Sequence, residues 1–261
     1  MVLGFTGAKV RSFRCNRVAK VGNSLYLSTM NRKNYLWCIP CIFFLIACVL
    51  DLAGCLWSRE LASTVKPALL PLLCATTLAY LFGHQAFDYR SAGLLVAAQL
   101  FGGAGDVLLI PDGFYYFAGG MGAFLVGHIC YMSLFGGLSW KGLSFWGWAV
   151  SLFIMAAVVG LLVKAIGISG AMFWPMTVYG FTLMLLVFSG LAGVMRMPKG
   201  RRGTWWIILA GAFLFTFSDA QIAMDTFDVW DFELRGFVVM LTYLAAQSLL
   251  AVGGIRLILR K

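Results

Sequence analysis

Residues 144–166 read SFWGWAVSLFIMAAVVGLLVKAI, with a single charge, Lys164, near the far end. At a rise of 1.5 Å per residue such a helix is about 34 Å long, enough to cross a hydrocarbon core of about 30 Å. The run is continuous, without the short alternating segments that a membrane β-barrel requires. It reads as a transmembrane helix, and the rest of the chain repeats the pattern. Windows of the same kind fall at 35–57, 66–82, 91–110, 114–136, 171–195, 205–224 and 236–257, making eight crossings joined by short connections. The fold class that follows is all-α: a polytopic membrane protein, a bundle of eight transmembrane helices, with no separate soluble domain between them.

Composition excludes the alternatives. Of 261 residues, 61% are hydrophobic and 11% charged, against about 25% charged in an ordinary soluble domain. Neither a water-soluble globule nor a disordered chain has that balance. The net charge of +10 does not point to nucleic acid, because the charges gather at the ends of the spans. Residues 1–34 carry Lys9, Arg11, Arg14, Arg17, Lys20, Arg32 and Lys33 with no acidic residue. They read as a flexible basic cytoplasmic tail lying on an anionic membrane face, ahead of a single transmembrane domain over 35–261. A targeting peptide, or a start at Met30, is the other reading of that segment.

An even number of crossings puts both termini on one side. On that assumption sixteen basic residues fall on the terminal side, while only Arg59, Lys66, Lys164 and Arg235 fall on the other. The positive-inside tendency then places both ends in the cytoplasm and the acidic 225–235 loop outside. The expected location is an integral, multi-pass membrane protein, in the cytoplasmic membrane if the chain is bacterial. The cysteines lie mostly within apolar runs and read as small hydrophobes, and Cys38-x-x-Cys41 has no second pair to make a metal site.

An ionisable side chain at mid-membrane costs at least about 2.5–3.5 kcal/mol, so each one in a span needs a reason. Asp51, Lys66, Asp106, His128, Lys164 and Asp219 lie in or at the edge of spans, and Tyr131, Tyr179, Ser218, Tyr243 and Gln247 add hydrogen-bonding groups. Asp51 reads as reaching the nearby interface and Lys164 as snorkelling. Counting from the outer span ends, Asp106 and Asp219 share a depth of roughly 6–8 Å, with Lys66 opening the second span at that same face. Tyr179 and Tyr243 follow at about 10–12 Å, Gln247 at about 16 Å and His128 at about 21 Å. His128 and Tyr131 share a helix face, as do Tyr243 and Gln247. One polar pocket, floored by His128, is expected to hold them all.

Two carboxyls at one depth divide labour if their surroundings keep one protonated and the other ionised, which suits acid-catalysed hydrolysis through a cationic transition state. A structural ion pair with Lys66 is the bland use of the same acids, as a satisfied core histidine is of His128. A metal site of Asp106, Asp219 and His128 competes, but the chain has no H-x-x-x-H or H-E-x-x-H spacing, so no metal and no cofactor is expected. Gly103-Ala104-Gly105-Asp106 matches the G-x-G-D of intramembrane aspartyl proteases and Pro67-Ala68-Leu69 their P-A-L, yet in reversed order and without an earlier Tyr-Asp pair.

A fuller correspondence runs along the chain. Lys66-Pro67, Gly105-Asp106 with Leu108-Leu109, Phe117 through Phe124 to His128 and Tyr131, Gly211-Ala212-x-x-Phe215-x-x-Ser218-Asp219, and Thr242-Tyr243-x-x-Ala246-Gln247 occur in that order. Over about residues 60–255 this set resembles the YhhN family of lysoplasmalogenases. The resemblance implies hydrolysis of the vinyl ether bond of a lysophospholipid to a fatty aldehyde and glycerophosphoethanolamine or glycerophosphocholine. Asp106 and Asp219 are then the expected catalytic pair, acid and charge-stabilising or water-activating partner. Lys66 is placed to meet a phosphate, Tyr179, Tyr243 and Gln247 to orient substrate or water, and His128 to tune a neighbouring Asp, with Tyr131 and Ser218 completing the polar set. Beside the lysolipid and the bilayer, no nucleic acid partner is expected. A proton-coupled or lipid transporter using the same acids as a relay, and a non-catalytic lipid-binding scaffold, are the other function classes.

Overall fold

The computed structural model describes residues 35–84, 87–227, 229 and 232–259. The basic segment 1–34, with its tail and targeting readings, and Asp228 and Asp231 of the acidic loop lie outside the described residues. Among the described residues, eight helices are long and apolar enough to span a membrane: α1 (Cys38–Trp57), α2 (Arg59–Gly83), α3 (Tyr89–Leu108), α4 (Phe114–Ser139), α5 (Phe145–Ile166), α6 (Phe173–Arg196), α7 (Lys199–Thr226) and α8 (Arg235–Leu259). A single 3-10 turn, Gly170–Met172, leads into α6. The protein is an integral, multi-pass membrane protein.

Local chemistry sets the helix ends. Ser58, Asp88 and Ser144 each accept a hydrogen bond from a first-turn backbone N–H, of Leu61, Arg90 and Gly147 at 3.3, 3.1 and 3.1 Å, satisfying donors the helix itself leaves open. Gly167 closes α5 in the left-handed region at φ 74°, where a side chain would be strained. Arg196, at the end of α6, donates to the carbonyls of Lys141 and Ser139 just beyond and at the end of α4.

Two starts differ from the sequence reading. The second span does not open at Lys66-Pro67. Instead α2 begins at Arg59, with Ser58 alone linking it to α1, and Lys66 stands two turns inside. The added turns are polar, so no apolar window includes them, but Ser63 and Thr64 return their hydroxyls to the Glu60 carbonyl at 3.0 and 2.8 Å and the segment satisfies itself as helix. The helix then runs through both Pro67 and Pro71. Likewise α7 starts at Lys199 rather than 205, so Arg201 and Arg202 sit on its first turn and not in a loop.

Seven helices close a ring in the order α1, α2, α3, α4, α6, α7, α8, and α8 also touches α2 and α3 across the middle. The fifth helix is the exception, packing chiefly on α6, with Val150, Phe153 and Leu161 turned outward. Small residues bring the ring together, as expected where lipid is as apolar as leucine and packing drives association. A Cβ on Gly54 would lie 2.5 Å from the Ala62 nitrogen, and one on Gly127 3.1 Å from the Ala98 carbonyl oxygen. At Gly193 of α6 the fit is tightest, since an added Cβ would stand 2.0 Å from the indole of buried Trp205 on α7. Gly193→Ala is therefore expected to force the ring and helix apart, costing about 1–3 kcal/mol. The measurement is the thermal midpoint of the purified protein in detergent, set beside Gly160→Ala, whose added methyl meets nothing within 4 Å.

Candidate active site

Asp106 ends the small-residue run of α3, and its glycines let neighbours close over it. A Cβ on Gly105 would touch the Phe124 ring at 2.7 Å, and one on Gly102 the Gln247 amide at 2.9 Å. The carboxyl is 3% exposed and accepts a hydrogen bond from the Tyr243 hydroxyl at 2.7 Å. Gln247, one turn along α8, donates its amide to the Tyr243 oxygen at 3.2 Å, and Tyr131 of α4 donates to the Gln247 carbonyl oxygen at 2.8 Å. Asp106, Tyr243, Gln247 and Tyr131 thus form one relay of hydrogen bonds across three helices. Each buried polar group in it is answered, as a low-dielectric interior demands.

Asp219 of α7 is 8% exposed and accepts from the Tyr179 hydroxyl of α6. The imidazole of His128 lies 5.5 Å from the Tyr179 ring and meets Phe215 edge-on at 4.7 Å. Phe124, Phe215 and Tyr243 pack edge to face at 5.5–6.2 Å, so an aromatic cluster stands between the two carboxyl–phenol pairs.

The two acids stand at different distances from their own helix ends. Asp106 is two residues from the end of α3 and Asp219 seven from the end of the longer α7, or about 3 and 10 Å along their axes. His128 does not floor a cavity: it is 1% exposed and both ring nitrogens lack a hydrogen-bond partner. The Ser218 hydroxyl points to α8, donating to the Val239 carbonyl at 3.0 Å. Among the described residues, no three His, Cys, Asp or Glu side chains gather as a metal-binding group.

Two cavities flank this core. An apolar groove between α4, α5, α6 and α7 is lined by Met121, Phe124, Val159 and Leu183 and ends at Tyr179 and Asp219. Leu162, 46% exposed, stands at its lipid side. A polar vestibule of about 900 Å³ opens at the α1–α2 hairpin end, lined by Asp51, Lys66, Asp112, Gln221, Asp225 and Arg235 among others. Asp225 and Arg235 form a salt bridge there. Leu109, Phe117 and Ile222 belong to the walls of both cavities. Leu109 is three residues after Asp106 and Ile222 three after Asp219; Asp219 itself lines the groove, while Asp106 is on the wall of neither cavity and stands one helical turn from Leu109.

The YhhN family model matches residues 61–254. The chain belongs to the YhhN family. Among its relatives, Lysoplasmalogenase TMEM86B of Homo sapiens is 31% identical over 226 residues, 84% of this chain and 87% of that protein. The Rattus norvegicus protein of the same name is 30% identical over 227 residues, 84% of each chain. A Mycobacterium tuberculosis (strain CDC 1551 / Oshkosh) protein named Lysoplasmalogenase is 30% identical over 199 residues, 72% of this chain and 68% of that one. No solved structure matches. The YhhN match takes in Lys66, Asp106, Asp219, Tyr243 and Gln247 alike, whereas α1, with Asp51, precedes it.

Proposed function

We propose that this YhhN protein hydrolyses the vinyl ether bond of lysoplasmalogens within the membrane, through carboxyl acid–base chemistry by Asp106 and Asp219. The observation that carries the reading is the partition between the two cavities. A lysolipid has one long chain and one polar head, and its vinyl ether joins them. With the chain in the apolar groove and the head in the vestibule, that bond falls beside Leu109, Phe117 and Ile222, one turn from each acid. The names of the relatives agree with this substrate class and do not favour transport.

The steps require little machinery. A carboxylic acid gives its proton to the alkene carbon remote from oxygen, and the ether oxygen's lone pair closes to an oxocarbenium ion. The second carboxylate stabilises that cation and takes a proton from the water that adds to it. The hemiacetal then divides: the first carboxylate takes its hydroxyl proton as the second carboxyl returns a proton to the leaving glycerol oxygen, which gives a fatty aldehyde and the glycerophospho-base alcohol and restores both acids to their starting states. Tyr179 and Tyr243 hold the two carboxyls in place while the aromatic cluster keeps bulk water away from the cation. The asymmetry of basic residues supports a vestibule on the non-cytoplasmic face.

Purified protein in detergent is expected to release aldehyde from a lysoplasmalogen and none from the matched lysolipid with a saturated ether. Only the vinyl ether forms a stabilised cation on protonation. Equal cleavage of the two, or of neither, overturns the proposal.

A further inference from the structure

The vestibule contains a charged group that the chemistry above leaves unused. Asp51 of α1 is 0% exposed, belongs to the vestibule wall, and has no hydrogen-bond partner for either carboxylate oxygen. A buried carboxylate with both oxygens unanswered is costly unless a cation arrives to meet it. Its position follows from the hairpin. Gly54 packs on Ala62 across the one-residue turn, and one helical turn further in on each helix stand Asp51 and Lys66. They therefore face each other at one level on the vestibule wall, with no salt bridge or hydrogen bond between them.

We infer that the Asp51–Lys66 pair is a head-group site for a phosphoethanolamine, Lys66 taking the phosphate and Asp51 the ammonium. The identity of the lipid rests on the reading above; the head-group assignment rests on Asp51. A facing anion and cation match the opposed charges of a head whose phosphate and amine are two carbons apart. The bare carboxylate selects among such heads. A primary ammonium brings three N–H donors to its two oxygens, whereas a trimethylammonium brings none. Quaternary ammonium groups are held by closed aromatic boxes, but of the vestibule's aromatic residues Trp57 and Phe114 are 82% and 56% exposed, and Phe117 and Phe227 pack against the Val159 and Met176 cluster.

The test is binding of acyl lysolipids, which hold no vinyl ether and so report on the head alone. The purified full chain is titrated with lysophosphatidylethanolamine, its N-methyl and N,N-dimethyl forms, and lysophosphatidylcholine. Affinity is expected to fall with each methyl added, by at least fivefold from ethanolamine to choline. Soluble glycerophosphoethanolamine is expected to compete, and glycerophosphocholine to compete at least fivefold less well. In Asp51→Asn the ethanolamine affinity drops to the choline value while choline binding, the control for folding, stays put. Lys66→Gln weakens both heads alike. Equal affinities across the methyl series in the unaltered protein overturn the inference even if the Asn variant does not fold, and so does an unchanged ratio in a folded Asn variant. Aldehyde release with a flat methyl series removes this inference alone, while a graded series without aldehyde release removes the catalytic reading and leaves the head-group site standing.

Discussion

Asp106→Asn and Asp219→Asn are each expected to lower aldehyde release by about 10²–10⁴-fold, the range a positioned proton donor or acceptor contributes. The substitution is conservative in shape. Asn keeps a carbonyl oxygen to accept from Tyr243 or Tyr179 and loses only the group that can carry or receive a proton at the working pH. Unchanged thermal midpoints would therefore accompany the lost turnover. The alternative, in which the carboxyls only hold helices together, predicts the reverse: activity of the folded protein stays intact while the thermal midpoint falls as a charge-assisted hydrogen bond between helices is weakened. Undiminished turnover in both variants would end the acid–base reading.

The second large effect is expected at the phenols. Each carboxyl has one side-chain hydrogen-bond donor, Tyr243 for Asp106 and Tyr179 for Asp219. Removing a hydrogen bond to a charged group costs about 1.5–3 kcal/mol, which corresponds to roughly 10–150-fold in rate. Tyr243→Phe and Tyr179→Phe should therefore lower kcat by that factor. The KM should part them. Tyr179 also lines the groove, so its loss is expected to disturb chain binding as well, whereas Tyr243 is on the wall of neither cavity and its loss should leave KM near the parent value. Steady-state kinetics on the two variants measures the split, and a KM change confined to Tyr243→Phe would contradict the assignment of the groove to the chain.

Hydropathy made the eight crossings legible because lipid demands continuous apolar length, and nothing else in the chain competes with that signal. It could not find the first two turns of α2. Those turns are polar, and they are helical because Ser58 caps them and Ser63 and Thr64 satisfy themselves on Glu60, an effect of hydrogen bonding rather than of hydrophobicity. The clustering of Asp106 with Tyr243 and Gln247, and of Asp219 with Tyr179, followed from scarce polar groups in apolar helices, since such groups must seek one another. What spacing alone did not deliver was the space around them. Leu109 and Ile222 are ordinary leucine and isoleucine in sequence, and only the packed structure makes them a partition. They are nevertheless one turn from the two acids, a spacing that helical periodicity makes available once the acids are chosen. Near the end of its span, Asp51 reads from sequence as reaching the interface. The added length of α2 encloses it instead.

The loosely attached fifth helix carries a consequence for what leaves the enzyme. A groove with one flank resting chiefly on one neighbour can widen sideways without disturbing the ring that carries the carboxyls. Tails of different length and unsaturation would then be accommodated by the same protein, and a long-chain aldehyde would slip back among the surrounding acyl chains while its water-soluble co-product departs through the opposite, aqueous door.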